Sequence, residues 1–480
     1  MEEVMIDMNV QKKKVVIVGG GITGLSAAFY LQKTAREQDL PIEVVLIEAS
    51  NRLGGKIQTV RRDGFVIERG PDSFLIRKKS MDTFAKDLGI ADELVRNATG
   101  QAYILVDDEL QPIPGGSIMG IPTEVTPFLK SNLFSLTGKL RAAGDFVLPR
   151  SGVEGDQSLG HFFRRRFGAE IVDNLIEPLL SGVYAGDIDQ MSLESTYPQF
   201  YEVEKKHRSL ILGMKKTTPK KVPQKDSHSG SKQGAFHSFR NGLSTIVEAA
   251  EEQLEPGTIR KGIRISTIEK RGNQSVLRLN NGETIVADAV IMTTGHMAAS
   301  QLFEPHGILQ GLKEIHTTSV ATVALAFPKD AVIQDKEGTG FLVSRSSDYS
   351  ITACTWVHRK WPTTTPDGKI LLRAFVGRIG DEAIVDLPDD EIERIVLEDL
   401  GKIITINGKP DFTIVTRYKE DRPQYRVGHR QRVAAAKAEL QQAFPMVKLA
   451  GASYEGVGLP DCIDQGKAAV EDVLNGLFER

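Results

Sequence analysis

The sequence predicts an α/β fold in which a parallel sheet, built from both ends of the chain, is interrupted by a second, mixed sheet. Three stretches carry this prediction. In residues 14–28, KVVIVGGGITGLSAA, four aliphatic β-formers run into Gly19-Gly20-Gly21-Ile22-Thr23-Gly24, after which Leu25, Ala27, Ala28 and Leu31 take helical spacing. A second apolar run, 44–47, ends in Glu48. At the far end a strand at 448–452, a Gly-rich loop SYEGVGLPD and a helix at 463–477 return the chain to the same sheet.

The glycines have a physical reading. Gly19 allows a tight turn, Gly21 removes a side chain where a pyrophosphate would meet the helix N-terminal amides, and Gly24 lets helix and strand approach closely. That describes a Rossmann-like dinucleotide cradle, and a plain glycine turn is its bland alternative. Glu48, 24 residues after Gly24, is placed to accept hydrogen bonds from a ribose and to repel a 2′-phosphate. The stretch 48–56, EASNRLGGK, then sets Ala49, Arg52, Gly54, Gly55 and Lys56 directly after that acid, giving cation and bare backbone a second approach to the pyrophosphate. This EAxxRxGG pattern resembles the flavin-containing amine oxidase and porphyrinogen oxidase superfamily. The resemblance implies FAD lying extended through an FAD-binding domain of the glutathione-reductase-2/amine-oxidase type.

Length and composition set outer bounds. A chain of 480 residues has room for about three domains. With 60 basic and 63 acidic residues the net charge is −3, which gives no call for nucleic acid as a partner. Two cysteines, Cys354 and Cys462, make neither a disulfide framework nor a Cys-rich metal site, so a reducing, cytoplasmic compartment is expected and no metal is assigned. Residues 1–14 lack the apolar core of a signal peptide, and no run reaches the length of a membrane span.

Along the chain, residues 58–67 alternate as a strand and lead into Glu68-Arg69-Gly70-Pro71-Asp72-Ser73, where Gly-Pro marks a turn that either meets a ligand or merely turns. Arg77, Lys78 and Lys79 follow as a basic run, read either as solvated surface or as the edge of an anionic substrate site. Helical spacing covers 81–95 with a break at Gly89, a short strand pair begins at 103–106, and helices follow at 136–148, 159–167 and 169–180. Phe162, Phe163 and Phe167 beside Arg164, Arg165 and Arg166 read as a buried aromatic face with a wet basic one, or as an interfacial helix. Residues 215–233, with six lysines and no aromatic side chain, read as a mobile loop. A helix to Leu254 precedes a three-strand meander (263–268, 276–279, 284–292) that ends in Thr293-Thr294-Gly295. Runs at 318–326, 340–344, 351–357, 370–376 and 413–418 make the second sheet, with a helix at 390–403. Asp461 or Asp464 is expected to cap the last helix, whose positive end would face negative charge on a reduced flavin.

ERGPDSFL, NLIEPLLSGVYAGD, KHRSLILGMKK, ITACTW, LLRAFVG and GASYEGVGLPDCIDQGKAAV together resemble the porphyrinogen oxidases over nearly the whole chain, closest to the soluble bacterial, Gram-positive type. The resemblance implies O2-dependent six-electron oxidation of coproporphyrinogen III to coproporphyrin III in heme biosynthesis, with hydrogen peroxide as co-product. It also implies non-covalent FAD, held by Gly19, Gly20, Gly21, Ile22, Thr23, Gly24, Glu48, Ala49, Arg52, Gly54, Gly55, Lys56, Gly70, Pro71, Asp72, Ser73, Ile265, Thr294, Gly451, Val457, Gly458 and Leu459. Leu342, Cys354 and Phe375 would line the macrocycle site, with Arg77, Lys78 and Lys79 as first candidates for the propionates and Lys205, Lys206, His207 and Arg208 as a second set. No residue is assigned as a catalytic acid or base, because the hard chemistry belongs to the flavin. Ala102, before Tyr103, departs from plant and animal enzymes, where an arginine there pairs with a propionate. The implied domains are FAD-binding (10–78, 226–298 and 432–480), substrate-binding (79–95, 189–225 and 299–431) and helical, membrane-facing or not (96–188). Peripheral contact with the inner face of the cell membrane and transient contact with a downstream heme-pathway enzyme stay open. So do protoporphyrinogen IX as substrate, another flavin oxidase acting on an amine or carotenoid, and a non-catalytic nucleotide-binding module.

Overall fold

The computed structural model describes residues 12–180, 182–217, 234–333 and 336–478. Its first sheet has five parallel strands in the order Ile259–Lys261, Ile42–Glu48, Lys13–Val18, Ala289–Met292 and Val447–Leu449. Val15, Val16 and Ile17 are fully buried because helices or strands cover both faces, which is why this strand is apolar throughout instead of alternating. Helices Ile22–Glu37 and Leu459–Phe478 pack on one face through Leu25, Ala28, Val470 and Val473. The meander Ile265–Arg271, Gln274–Leu279 and Thr284–Ala287 and the helix His429–Ala443 cover the other. Both covering helices of the first face begin at the same edge of the sheet, where the glycine loops lie.

The second sheet has seven strands, in the order Phe412–Pro423, Thr317–Pro328, Lys369–Val376, Ile351–Trp356, Gly340–Val343, Tyr103–Val106 and Glu109–Pro112. Only the pairing of Gly340–Val343 with Tyr103–Val106 is parallel. Residues 103–112, grouped by sequence with the helical segment, thus extend this sheet. One face packs on helix Asp389–Ile403 through Ile392, Val396 and Leu400. On the other, Ala324, Ala326 and Leu371 meet Phe65, Ile67 and Trp361. Beyond them a row of cross-strand partners runs Thr416, Thr322, Phe375, Ala353, Leu342 and Ile104.

Several local expectations change. Residues 58–67 form a hairpin, Thr59–Arg62 and Phe65–Glu68, because Asp63 and Gly64 take positive φ and turn the chain back. Residues 169–180 are helical only with a π-helical turn at Val172–Ile176. Residues 284–292 divide at Asp288, the first half closing the meander and the second joining the parallel sheet. The last helix starts at Leu459, so Asp461 and Asp464 sit inside its first turns and cap nothing; they bind Lys78 and Ser80 instead. The lysine-rich loop at 215–233 lies mostly outside the described residues, and Lys215 and Lys216 end a helix. Among the described residues no helix is long and apolar enough to cross a membrane.

In the helical region Phe162, Phe163 and Phe167 are buried, with Phe163 edge-on to Phe200 at 5.1 Å. Arg166 is not on a wet face. It is fully buried, bound to Asp145 at 3.3 Å and to Glu204, while Asp145 also accepts from Ser209 Oγ at 2.6 Å. Arg166→Ala leaves two carboxylates buried without their cation and should cost about 3–5 kcal/mol, read as a lower urea midpoint.

The two sheets are joined by residues 68–72, which cross the inner face of the second sheet. Thr322 Oγ1 donates to the Arg69 carbonyl at 2.9 Å, Arg373 donates to the Gly70 carbonyl, and Lys360 pairs with Asp72 at 2.7 Å. Lys360 and Arg373 hold Asp72 well below the usual carboxylate range, although burial opposes them. Glu68 behaves oppositely: burial pushes it up to about 7, against the Leu243 amide and Thr59 hydroxyl that donate to it. A native carboxyl with a raised pKa holds its proton where the unfolded chain has lost it. The contribution of Glu68 to stability is therefore greatest below pH 4.5, falls between pH 4.5 and 7, and is level above. Glu68→Gln, which can keep both hydrogen bonds, should remove this decline and exceed wild type by at most about 3 kcal/mol above pH 7, as measured by denaturation across pH.

Candidate functional site

The site is built where the two glycine loops face each other. Gly54 N donates to the Gly20 carbonyl at 2.8 Å, and Gly21 and Gly54 form a β-bridge. A Cβ on Gly55 would lie 3.2 Å from the Gly21 Cα, and one on Gly24 only 1.9 Å from the Gly19 oxygen, so neither position accepts a side chain. Gly21 is different. A Cβ there would meet no protein atom within 4 Å; it would point into a cavity of about 780 Å³. The need for glycine at that position comes from an occupant, which fits a phosphate group at the N-terminus of helix Ile22–Glu37.

Glu48 ends its strand with both carboxylate oxygens engaged, by Gly20 N at 2.6 Å and Ser50 N at 2.8 Å. This leaves lone pairs directed along one wall of the cavity. Of the sequence-predicted residues, Gly19, Gly21, Ile22, Thr23, Glu48, Ala49, Gly54, Gly55, Lys56, Ile265, Thr294, Val457 and Leu459 line it. Gly20, Gly24, Gly451 and Gly458 do not line it.

Arg52 does not reach into the cavity. Its guanidinium donates to the carbonyls of Leu53 (3.2 Å), Ile57 (3.2 Å) and Gly55 (2.6 Å), holding the second glycine loop in its turn. Gly70, Pro71, Asp72 and Ser73 are taken up by the joint with the second sheet, and a Cβ on Gly70 would strike the Lys56 carbonyl at 1.9 Å. Lys56 pairs with Asp421 at 3.2 Å; its side chain is 41% exposed, but to the cavity, and enclosure lowers its pKa against the pull of Asp421.

At the opposite end from Glu48 the wall comes from residues 452–462, with Ala452, Ser453, Val457, Leu459 and Cys462 all facing the cavity. The loop is pinned from behind: Tyr425 Oη donates to the Ala452 carbonyl and accepts from Gly456 N, each at 2.8 Å, and His429 Nε2 meets the Tyr454 carbonyl at 2.8 Å. Burial pushes His429 down to about 4, so it is neutral there. The helix that follows presents its N-terminus to this end of the cavity. Thr294 Oγ1 is buried in the wall without a protein partner, as an atom awaiting a ligand would be.

Sequence reasoning missed Thr293, His296, Thr317, Asp421, Ser453 and Cys462. Thr293 Oγ1 locks the first turn by donating to the carbonyls of Val18 (2.9 Å) and Gly19 (3.0 Å). His296, whose Nε2 meets the Ile315 carbonyl at 3.0 Å, is kept below the usual histidine range by burial. For Thr293, His296, Ser453 and Cys462 the available signal was adjacency to Thr294 and to the SYEGVGLPD loop; Thr317 and Asp421 carried none.

On the second sheet Leu342 and Phe375 are half-buried and share a face with Ala353. Cys354 does not join them. It is 1% exposed on the opposite face, in the core with Trp356 and Val396, because neighbouring residues of a strand point to opposite sides. Lys78 is held by Asp461 at 2.5 Å, while Arg77 is exposed with its Nη2 3.7 Å from Met119 Sδ.

Comparison with known proteins agrees with this geometry. Residues 22–474 match the model of the flavin-containing amine oxidoreductases, a family that implies a flavin cofactor. A protein named coproporphyrinogen III oxidase from Bacillus subtilis (strain 168) is 57% identical over 467 residues, covering 97% of this chain and 99% of that protein. One of the same name from Staphylococcus aureus is 46% identical, covering 96% and 99%. A crystal structure from Exiguobacterium sp. 255-15 superposes with a TM-score of 0.83 at 39% identity, covering 96% and 98%.

Glu48→Ala should weaken retention of the bound dinucleotide by ten- to a hundredfold, since hydrogen bonds to charged groups contribute about 1.5–3 kcal/mol. Turnover of the fraction that stays loaded should change little. Equilibrium dialysis paired with a rate normalised to bound flavin measures both.

Proposed function

The chain belongs to the flavin-containing amine oxidoreductase family, and from that premise we propose that it oxidises coproporphyrinogen III to coproporphyrin III with non-covalently bound FAD. The observation that carries the substrate is the 57% identity, end to end, to a protein named for that reaction. The overall change removes six electrons and six protons from the tetrapyrrole and converts three O2 to three H2O2. When bound, the flavin supplies the hydride acceptor and the path of electrons to oxygen.

The chain's own groups do the positioning. Glu48 would hold the ribose hydroxyls, the amides of the Gly19 to Gly24 turn and the Gly54-Gly55 loop would hold the pyrophosphate, and residues 452–459 would border the ring. The N-terminus of helix Leu459–Phe478 would offer partial positive charge to a flavin ring held at that end of the cavity. Phe375, Ala353 and Leu342 form a flat, apolar wall for a macrocycle on the inner face of the second sheet. Arg373 lies over the Phe375 ring at 4.8 Å and fixes that wall to residues 70–72.

Non-covalent attachment is supported by the two thiols. Cys354 is buried on the opposite face of the sheet from the wall it was expected to line, and burial pushes Cys462, which does face the cavity, up to about 11, keeping it a thiol. The free state of both cysteines accords with a cytoplasmic location.

Heat or acid should release all the flavin as free FAD; flavin that precipitates with the protein contradicts the attachment. Turnover of coproporphyrinogen III should exceed that of protoporphyrinogen IX in kcat/KM. Activity with neither, but with an amine, points to another oxidase of the family.

A further inference from the structure

Several enclosed cations in this protein have carboxylate partners, while others, Arg373 among them, are held by backbone carbonyls. Arg166 has Asp145 and Glu204, Lys360 has Asp72, and Lys78 has Asp461. Arg69 and Arg422 have none within ion-pairing distance among the described residues. Arg69 Nε donates to Thr416 Oγ1 at 2.8 Å, and Arg422 Nη1 donates to the Val183 carbonyl at 2.7 Å; both side chains are otherwise left with free donors while half-buried. Asp421, beside Arg422, is occupied by Lys56. Burial and the nearby Arg373 push Arg422 below the usual arginine range, with Asp421 only opposing. An enclosed guanidinium short of counter-charge is costly, and the missing charge is supplied when an anion binds.

Both residues border the wall assigned above to the macrocycle. The Arg69 guanidinium sits at Thr416, which pairs with Thr322, the cross-strand neighbour of Phe375; it stands two strands, or about 10 Å, from Phe375. Arg422 pairs with Thr318, four residues along the same strand, or about 13 Å from that row. Its bond to Val183 also ties down the loop that carries the half-exposed Val183 side chain. Cations thus stand at the rim of an apolar, flat surface, at spacings suited to a disc whose carboxylates hang from its edge.

We propose that Arg69 and Arg422 bind propionates of the substrate and set the preference for the porphyrinogen with more of them. This rests on the function proposed above and replaces Lys78, whose ammonium Asp461 already holds, as the main anchor. A guanidinium suits the task because it takes a carboxylate through two parallel N–H donors.

The test uses the flavin-loaded protein with Arg69→Gln, Arg422→Gln, both together, and Arg422→Lys. Binding of coproporphyrin III, followed by quenching of its fluorescence, should weaken about tenfold for each Gln variant. KM for coproporphyrinogen III should rise more than KM for protoporphyrinogen IX, and Arg422→Lys should recover part of the loss. The flavin spectrum should not change, and the melting temperature of the porphyrin-free Gln variants should be equal to or above wild type, because an uncompensated charge has gone. A lower melting temperature with proportionate loss for both substrates assigns the arginines to structure and overturns the proposal. So does unchanged porphyrin binding, or weaker flavin retention alone, which assigns them to the cofactor. If the wild-type protein fails to oxidise coproporphyrinogen III, the proposed function falls, and the porphyrin affinities still decide the role of the two arginines.

Discussion

The structure depends on two backbone loops approaching so closely that Gly55, at positive φ, has no room for a side chain where it meets Gly21. Gly21 and Gly54 bridge, Gly55 lies against Gly21, and the Gly20 amide bonds Glu48. These contacts fix three things at once: the N-terminus of the first helix, the orientation of the carboxylate, and a channel floored by amides. A methyl group on Gly55 would press on the Gly21 backbone and one on Gly24 would strike the Gly19 carbonyl within the first turn, whereas one on Gly21 would fill the channel itself. Shape and electrostatics for an anionic, ribose-bearing ligand therefore come from the same residues.

The second constraint is the crossing of residues 68–72 over the inserted sheet. Its carbonyls take donors from Thr322 and Arg373, and its Asp72 takes Lys360, so the second sheet cannot shift independently of the loop leading from Lys56. Catalysis by a bound flavin requires little of the protein except this registration, since reacting atoms must be held near contact distance. The Tyr425 and His429 contacts to residues 452–456 do the same from the opposite side.

Much of this was legible in the sequence wherever local spacing has a single physical solution. Strand, glycine turn, helix and acid could be read from residues 14–48, because turn sterics and helix periodicity leave few alternatives, and the alternating runs identified the strands of the second sheet. What escaped depends on tertiary context. Arg52 reads as a phosphate cation, yet its own loop carbonyls are nearer. Cys354 reads as a pocket residue, but strand phase, disturbed by a bulge between Ile351 and Ala353, turns it to the core. Asp461 reads as a cap, and only folding brings Lys78 to it from 383 positions away. The counter-charges that Arg69 and Arg422 lack could not be inferred from sequence at all, since absence of a partner is a property of the whole surround.

The central claim is that a porphyrinogen held against the Phe375 wall delivers its electrons to a flavin held by the glycine loops. Anaerobic mixing of the flavin-loaded protein with substoichiometric coproporphyrinogen III tests it most directly. The account predicts loss of the oxidised-flavin absorbance together with growth of the porphyrin band, approaching three flavins reduced per porphyrin formed. Flavin that stays oxidised while coproporphyrinogen III is present, or porphyrin that forms without flavin bleaching, would contradict it.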